Sequence, residues 1–111
     1  MKIPVVYYSI GVETPIFPSE PLPELPEIPR GSMVVVEGRA PIWRYGLAFH
    51  KLHGSPAAAV AVYDPRMGAV VVASHLPGLL DGTVLNLSLG QTEVEGCPPP
   101  LTNDGRKFTI E

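Results

Sequence analysis

The sequence predicts an α/β or α+β domain whose central sheet carries one long helix and a β-hairpin. Three stretches predict it. MVVVE at 33–37 is continuously apolar, the pattern of a strand covered on both faces. The stretch from Pro41 to Gly54 has a helix start and a helix stop: proline suits a first helical turn, and Gly54 with Pro56 ends the run. AAVAVY (58–63) and AVVVAS (69–74) flank Asp64-Pro65-Arg66-Met67-Gly68, which reads as a hairpin with both strands buried on both faces.

The remaining elements fall around these. IPVVYYSIGV (3–12) is rich in β-branched and aromatic residues and reads as a first strand. TPIFPSEPLPELPEIPR (14–30) follows. Seven of the 14 prolines lie in the first thirty residues, most of them here. Proline lacks the backbone donor and fixes φ, so this segment is neither helix interior nor central strand. It reads as an extended, polyproline-like arm that Ile16, Phe17, Leu22, Leu25 and Ile28 can anchor. After PGLLDG, TVLNLSL (83–89) reads as a further strand. From Gly96 the chain reads as a loop, with KFTI (107–110) as a late strand or tail. One domain over 1–96, with its arm at 14–30, and a C-terminal loop and tail over 97–111 is the expected organisation. The expected order is β-arm-β-α-β-β-β.

At 111 residues one domain is expected. Hydrophobic residues make up 45% of the chain and charged residues only 17%. So little charge on so small a domain favours a surface partly hidden against a second copy. The net charge of −3 offers no global positive field for long nucleic acid, and no DNA partner is expected. A short anionic ligand needs only a few local cations. No apolar run reaches the ~18–20 residues of a membrane span, and MKIPVV lacks a secretory pattern. With a single cysteine, Cys97, the expectation is a cytoplasmic protein without a membrane partner.

All three histidines lie between Gly38 and His75. Histidine exchanges protons near neutrality, so any chemistry is expected here. His50 and His53 project about 60° apart on the expected helix, away from a charged stripe of Arg44 and Lys51. The alternative is that each is an ordinary hydrogen-bonded structural histidine. The amides of the Gly38–Pro41 turn open the helix, and helix N-termini attract anions, with Arg39 beside them. The alternative is a plain turn and a solvated arginine. Asp64 and Arg66 share the hairpin turn, where an aspartate also serves simply to cap it. His75 ends the returning strand, roughly 20 Å from the turn at ~3.3 Å per residue. One site using both Asp64 and His75 therefore needs two subunits, as does any metal held by two histidines and a carboxylate.

Taken together, GRAPIW, FHKLHG, AVYDPRMGAVVV and SH resemble the CRISPR-associated ring nuclease family of type III systems. That family's core reads approximately G-R-G-P-I-W, H-K-x-H, V-Y-D-P-R-x-G-A-V-V-V and S-H. Gly38, Arg39, Pro41–Trp43, His50, Lys51, His53, Val62–Arg66, Gly68–Val72, Ser74 and His75 match it. Ala40 stands where the family has glycine, and two residues are inserted between His53 and Asp64, in SPAAAVA.

The resemblance implies a small Rossmann-like domain, related to the CRISPR-associated Rossmann-fold sensor domains, and a homodimer. It implies that two dimers form a ligand-bridged tetramer around cyclic tetra-adenylate. Cleavage to linear di-adenylate would switch off type III CRISPR antiviral signalling. His53, Asp64, Arg66 and His75 are the implied catalytic residues, and Arg39, His50 and Ser74 the implied ligand contacts. Manganese is the implied cofactor, with Asp64 and His75 as its ligands across subunits. Two other readings stand beside this one. The first is a non-catalytic cyclic oligoadenylate-binding module. The second is a manganese-dependent exonuclease that trims adenylates from RNA 3′ ends, with short adenylate RNA as its substrate.

Overall fold

Four consecutive residues, Met33, Val34, Val35 and Val36, have no solvent exposure in the computed structural model, which describes residues 1–96. They form the second strand, β2 (Met33–Glu37), the same five residues that the apolar run marks. β2 lies between β1 (Lys2–Ser9) and β3 (Ala59–Asp64), and both pairings are parallel. β4 (Gly68–Ser74) pairs antiparallel with β3, β5 (Val84–Leu85) with β4, and β6 (Glu93–Glu95) with β1. The mixed sheet has the order β5-β4-β3-β2-β1-β6, and one helix, α1 (Ile42–Leu52), connects β2 to β3. The domain is a small α/β unit.

Parallel neighbours require crossovers, and here both lie on one face. Tyr8, Ile10, Val34 and Val36 point to it, and they pack with Ala48 and Leu52 of α1 and with Leu22, Leu25 and Ile28 of the arm. The arm thus occupies the place over β1 and β2 that a helix would otherwise take. Its prolines rule out a backbone ladder, so side chains tie it down. The Pro23 carbonyl accepts from Tyr8 Oη at 2.5 Å and from Lys51 Nζ at 3.0 Å. Burial raises the pKa of Tyr8, so the phenol is a neutral donor at physiological pH. Leu22, Leu25 and Ile28 anchor the arm as expected, whereas Phe17 is 74% exposed.

Among the described residues, the opposite face has no helix. Ile3, Val5, Met33, Val35, Ala61 and Val71 point to it. The stretch after β4 covers them, through Leu76, Leu79 and Leu87. Residues 86–92 carry the chain from the β5 edge to the β6 edge, and Tyr7 Oη donates to the Gln91 carbonyl at 2.7 Å on the way.

Several expectations need correction. The first strand pairs over Lys2–Ser9 rather than 3–12, because beyond Ser9 the chain leaves the ladder for single bonds such as Val12 N–H to the Arg39 carbonyl at 2.9 Å. The last expected strand shrinks from 83–89 to two residues as the chain turns across the sheet face. β6 is an element that no sequence signal marks. Arg44 belongs to no charged stripe: it is only 6% exposed, and its Nε donates to the Ile10 carbonyl at 2.8 Å. That carbonyl lies past the end of β1 and needs a donor. The hairpin strands are not buried on both faces, since Val72 of β4 is 39% exposed, beside Val84 of β5 at 49%, on the part of the α1 face that α1 does not cover. The 97–111 tail, with Cys97 and KFTI, lies outside the described residues.

Gly38 is one of the tightest points of the fold. Its φ is +122°, and a Cβ there would meet the Gly11 amide nitrogen and lie 2.7 Å from the Gly11 Cα. Both a rare backbone conformation and a backbone clash oppose any side chain. Gly38→Ala is expected to cost about 2 kcal/mol or more of stability, a fall in Tm of roughly 8 °C or more, read by thermal unfolding.

Candidate functional site

The candidate residues lie at two opposite edges of the sheet. The parallel strands β1, β2 and β3 end at one edge, with Ser9 paired to Glu37 and Asp64 to Gly68. At the other edge Ala59 pairs with Ser74, and the His75 amide donates to the Ala58 carbonyl at 2.8 Å. Asp64 and His75 therefore sit at opposite ends of the hairpin, six residue steps or ~20 Å apart along the strands.

The histidine edge is built by three loops in hydrogen-bonded contact. The turn from the arm into β2 is closed by Ser32, whose amide and Oγ both donate to the Pro29 carbonyl, at 3.1 and 2.5 Å. The Ser32 carbonyl accepts from the Ala58 amide at 2.8 Å, and the Ala58 carbonyl accepts from His75. Beside them α1 ends. His53 is its cap, with extended backbone (φ −65°, ψ 123°), and its amide donates to the carbonyls of Phe49 and His50. His53 keeps a helical φ and the i→i−4 bond to Phe49, and the chain leaves the helix only after it. His50 stays exposed on the helix body.

A cavity of about 480 Å³ lies where these loops meet. His53 and His75 both line it. Phe49, Val60 and Val72 supply apolar wall, and Arg30 reaches it from the end of the arm. Sequence reading missed Arg30 and Phe49, because only the arm's crossover and the angle of α1 bring them here. Ser74 stands nearby but is occupied: its Oγ accepts from the Leu76 amide at 3.0 Å and turns the chain after β4.

The other edge is polar. A cavity of about 490 Å³ is lined by Ser9, Glu13, Glu37, Gly38 and Arg39 among others, and Ser9 Oγ donates to Glu37. Arg39 is thus flanked by two carboxylates. Gly38, just before the helix start, is held by Tyr45, whose Oη donates to its carbonyl at 2.6 Å. Asp64 and Arg66 lie at this end, on the hairpin turn. Asp64 Oδ1 accepts from the Arg66 amide at 2.8 Å, with the Arg66 Nε at 3.6 Å. The Arg66 side chain is 87% exposed. Among the described residues, no group of three or more His, Cys, Asp or Glu side chains is close enough to hold one metal ion. No helix among them is long and apolar enough to cross a membrane.

A small mixed-sheet α/β domain with histidines at one edge and an Asp-Pro-Arg turn at the other defines the class. The chain belongs to a CRISPR-associated family: residues 9–86 match the family described as CRISPR-associated protein (Cas_csx3). That span runs from the end of β1 through β5 and includes every candidate residue. The chain is also similar to a protein of Aquifex aeolicus (strain VF5) described as an uncharacterized protein. The two are 46% identical over 55 residues, 49% of this chain and 48% of that protein. The match thus spans about half the length of the relative.

The Arg66 amide bond, reinforced by the Arg66 guanidinium, holds the Asp64 carboxyl below the ordinary carboxylate range. The turn's contribution to stability is therefore present above the unfolded carboxylate pKa and lost as pH falls through the lower folded value. Because the backbone amide is the larger cause, Arg66→Ala is expected to leave most of the depression in place. A carbon-13 titration of the Asp64 carboxyl in both proteins reads this directly; a return to the ordinary value in the variant would assign the effect to the side chain.

Proposed function

We propose that this protein is a ring nuclease: it binds cyclic tetra-adenylate and cleaves it to linear di-adenylate, ending type III CRISPR signalling. The observation that carries the reading is the pair of histidines, His53 and His75, on one apolar-walled cavity in a chain of a CRISPR-associated family. The order β1–arm–β2–α1–β3 supports the Rossmann-like reading, with the arm in a first helix's place.

Each scissile phosphate of a 3′–5′ ring has a 2′-hydroxyl beside it. When the 2′-oxygen attacks phosphorus and the bond to the 5′-oxygen breaks, one proton leaves the nucleophile and one reaches the leaving group. Histidine serves either transfer at neutral pH. Asp64, held ionised, is an acceptor: it can orient an imidazole or ligate a cation, but it carries no proton to donate. Arg66, with its exposed guanidinium, suits the charge that develops on the phosphorane.

The hairpin separates these groups, so the reading requires chains to meet around the ligand, Asp64 and Arg66 of one facing His53 and His75 of another. Arg39, His50 and Ser74 remain the proposed contacts to the ring. A carboxylate and an imidazole are donors that suit manganese, and Asp64 and His75 of different chains would hold it. Bound there, it would supply positive charge to the phosphate oxygens. The exposed Ile42, Leu47, Val72 and Val84 support a homodimer, through which two dimers would enclose one ring.

One observation favours capture without cleavage. Asp64 is already used by its own turn, so the motif is explained without catalysis, and a binding module remains the second reading. Trimming of long RNA is disfavoured by four exposed glutamates, Glu13 and the arm's Glu20, Glu24 and Glu27.

Incubation with cyclic tetra-adenylate, with and without manganese, is expected to yield di-adenylate by chromatography; intact ring bound but uncut supports the module. Asp64→Ala and His75→Ala are each expected to lose on the order of 100-fold or more in cleavage. Mixing the two inactive proteins is expected to restore part of it, because intact faces from different chains can pair. A mixture as inactive as its parts would place both residues' work within one chain. Sedimentation without ligand is expected to give twice the 11.9 kDa chain mass; a monomer at micromolar concentration would remove the dimer.

A further inference from the structure

Arg30 is the only cation between Lys2 and Arg39. It follows an arm with three glutamates, Glu20, Glu24 and Glu27, yet it forms no ion pair with any carboxylate among the described residues. No side-chain hydrogen bond there engages its guanidinium either. Arg30 is exposed and lines the histidine cavity, where no aspartate or glutamate is present among the lining residues.

The backbone beneath Arg30 is firmly set. Pro29 precedes it, and Gly31 takes φ +90° immediately after. Ser32 closes the turn with two bonds to the Pro29 carbonyl, and the Ser32 carbonyl joins the ladder through Ala58 to His75. Arg30 is therefore presented from a braced turn to the cavity that the two histidines also line.

The cavity then has a lining of two chemical kinds. Phe49, Val60 and Val72 are apolar, and Phe49 brings an aromatic ring; Arg30, His53 and His75 are polar or charged. Its volume of about 480 Å³ lies within the range of small-molecule sites, ~300–1,000 Å³. A flat base attached to a phosphate has the matching division. Arginine's planar fork can take two phosphate oxygens at once.

We propose that Arg30 holds a phosphate of one nucleotide unit whose base lies on the Phe49–Val72 wall. This rests on the adenylate reading of the cavity and adds to it a ligand-holding residue outside the recognised motifs. Arg30 acts in binding and takes no part in proton transfer.

The test compares adenosine 5′-monophosphate with adenosine, by calorimetry and by amide shifts in nitrogen-15 spectra of the 111-residue chain. The native protein is expected to bind the monophosphate more tightly, with shifts at Gly31, Gly54 and His75. Arg30→Gln is expected to weaken the monophosphate about tenfold or more, the scale of a charge-assisted hydrogen bond, and to leave adenosine unchanged. Arg30→Lys is expected to recover part of the loss, which a merely structural role would not produce. Equal loss for both ligands, an unchanged monophosphate affinity in Arg30→Gln, or no native binding at millimolar monophosphate would each overturn the proposal. Ring cleavage is assayed separately. Arg30-dependent monophosphate binding without native cleavage upholds the proposal and removes the nuclease reading. Native cleavage with monophosphate binding indifferent to Arg30 does the reverse.

Discussion

The burial of β2 on both faces is the constraint from which the rest of this structure follows. Fully burying a valine side chain is worth about 1.5–3 kcal/mol, and Val34, Val35 and Val36 are all completely covered. That requires a layer on each side of a strand whose neighbours both run parallel to it. Parallel neighbours cannot be joined by tight turns, so the chain must cross the sheet twice. With one helix available, the first crossing falls to a proline-rich arm. The arm lacks the donors of a helix, and so its contacts depend on apolar side chains and on the two bonds received by the Pro23 carbonyl.

An arm and one helix cover β1 to β3 on that face and leave β4 and β5 bare. The exposed Val72 and Val84, and the cavity beneath the end of α1, are consequences of the same shortage. A second helix would have filled the space that the histidines now border. The loop that covers the other face likewise has to travel the full width of the sheet. It arrives at the β1 edge as β6, where Lys2 pairs with Glu95.

Legibility in the sequence followed the range of the forces involved. β2, α1 and the hairpin could be read because their signals are local: an apolar run, a proline and a glycine at helix ends, a Pro-Gly turn. β6 could not, since three residues with two glutamates form a strand only because β1 offers an unpaired edge. Arg44 was misread for a related reason. Its partner is a backbone carbonyl 34 positions away, and no wheel of α1 contains Ile10. The candidate site shows the same division. Asp64 and His75 were correctly placed at opposite ends of the hairpin from strand geometry alone. The meeting of His53 with His75 and Arg30 was not foreseen, because it depends on how the helix end, the arm and β4 converge.

The two edges also differ in the chemistry they can perform alone. The Asp-Pro-Arg edge holds a carboxylate kept ionised by a backbone amide, with an arginine that is permanently charged. Neither group changes protonation near neutrality. The histidine edge holds side chains whose ordinary pKa lies in that range, but no carboxylate lines its cavity among the described residues. On the proposed reading, the groups suited to proton transfer and to charge fixation are divided between the ends of one hairpin, and bending β3 and β4 to join them would break the ladder. A reaction that needs both must take one edge from each of two chains. On that reading assembly around a ligand is a precondition of chemistry, and a free chain has the parts of the site without the site itself.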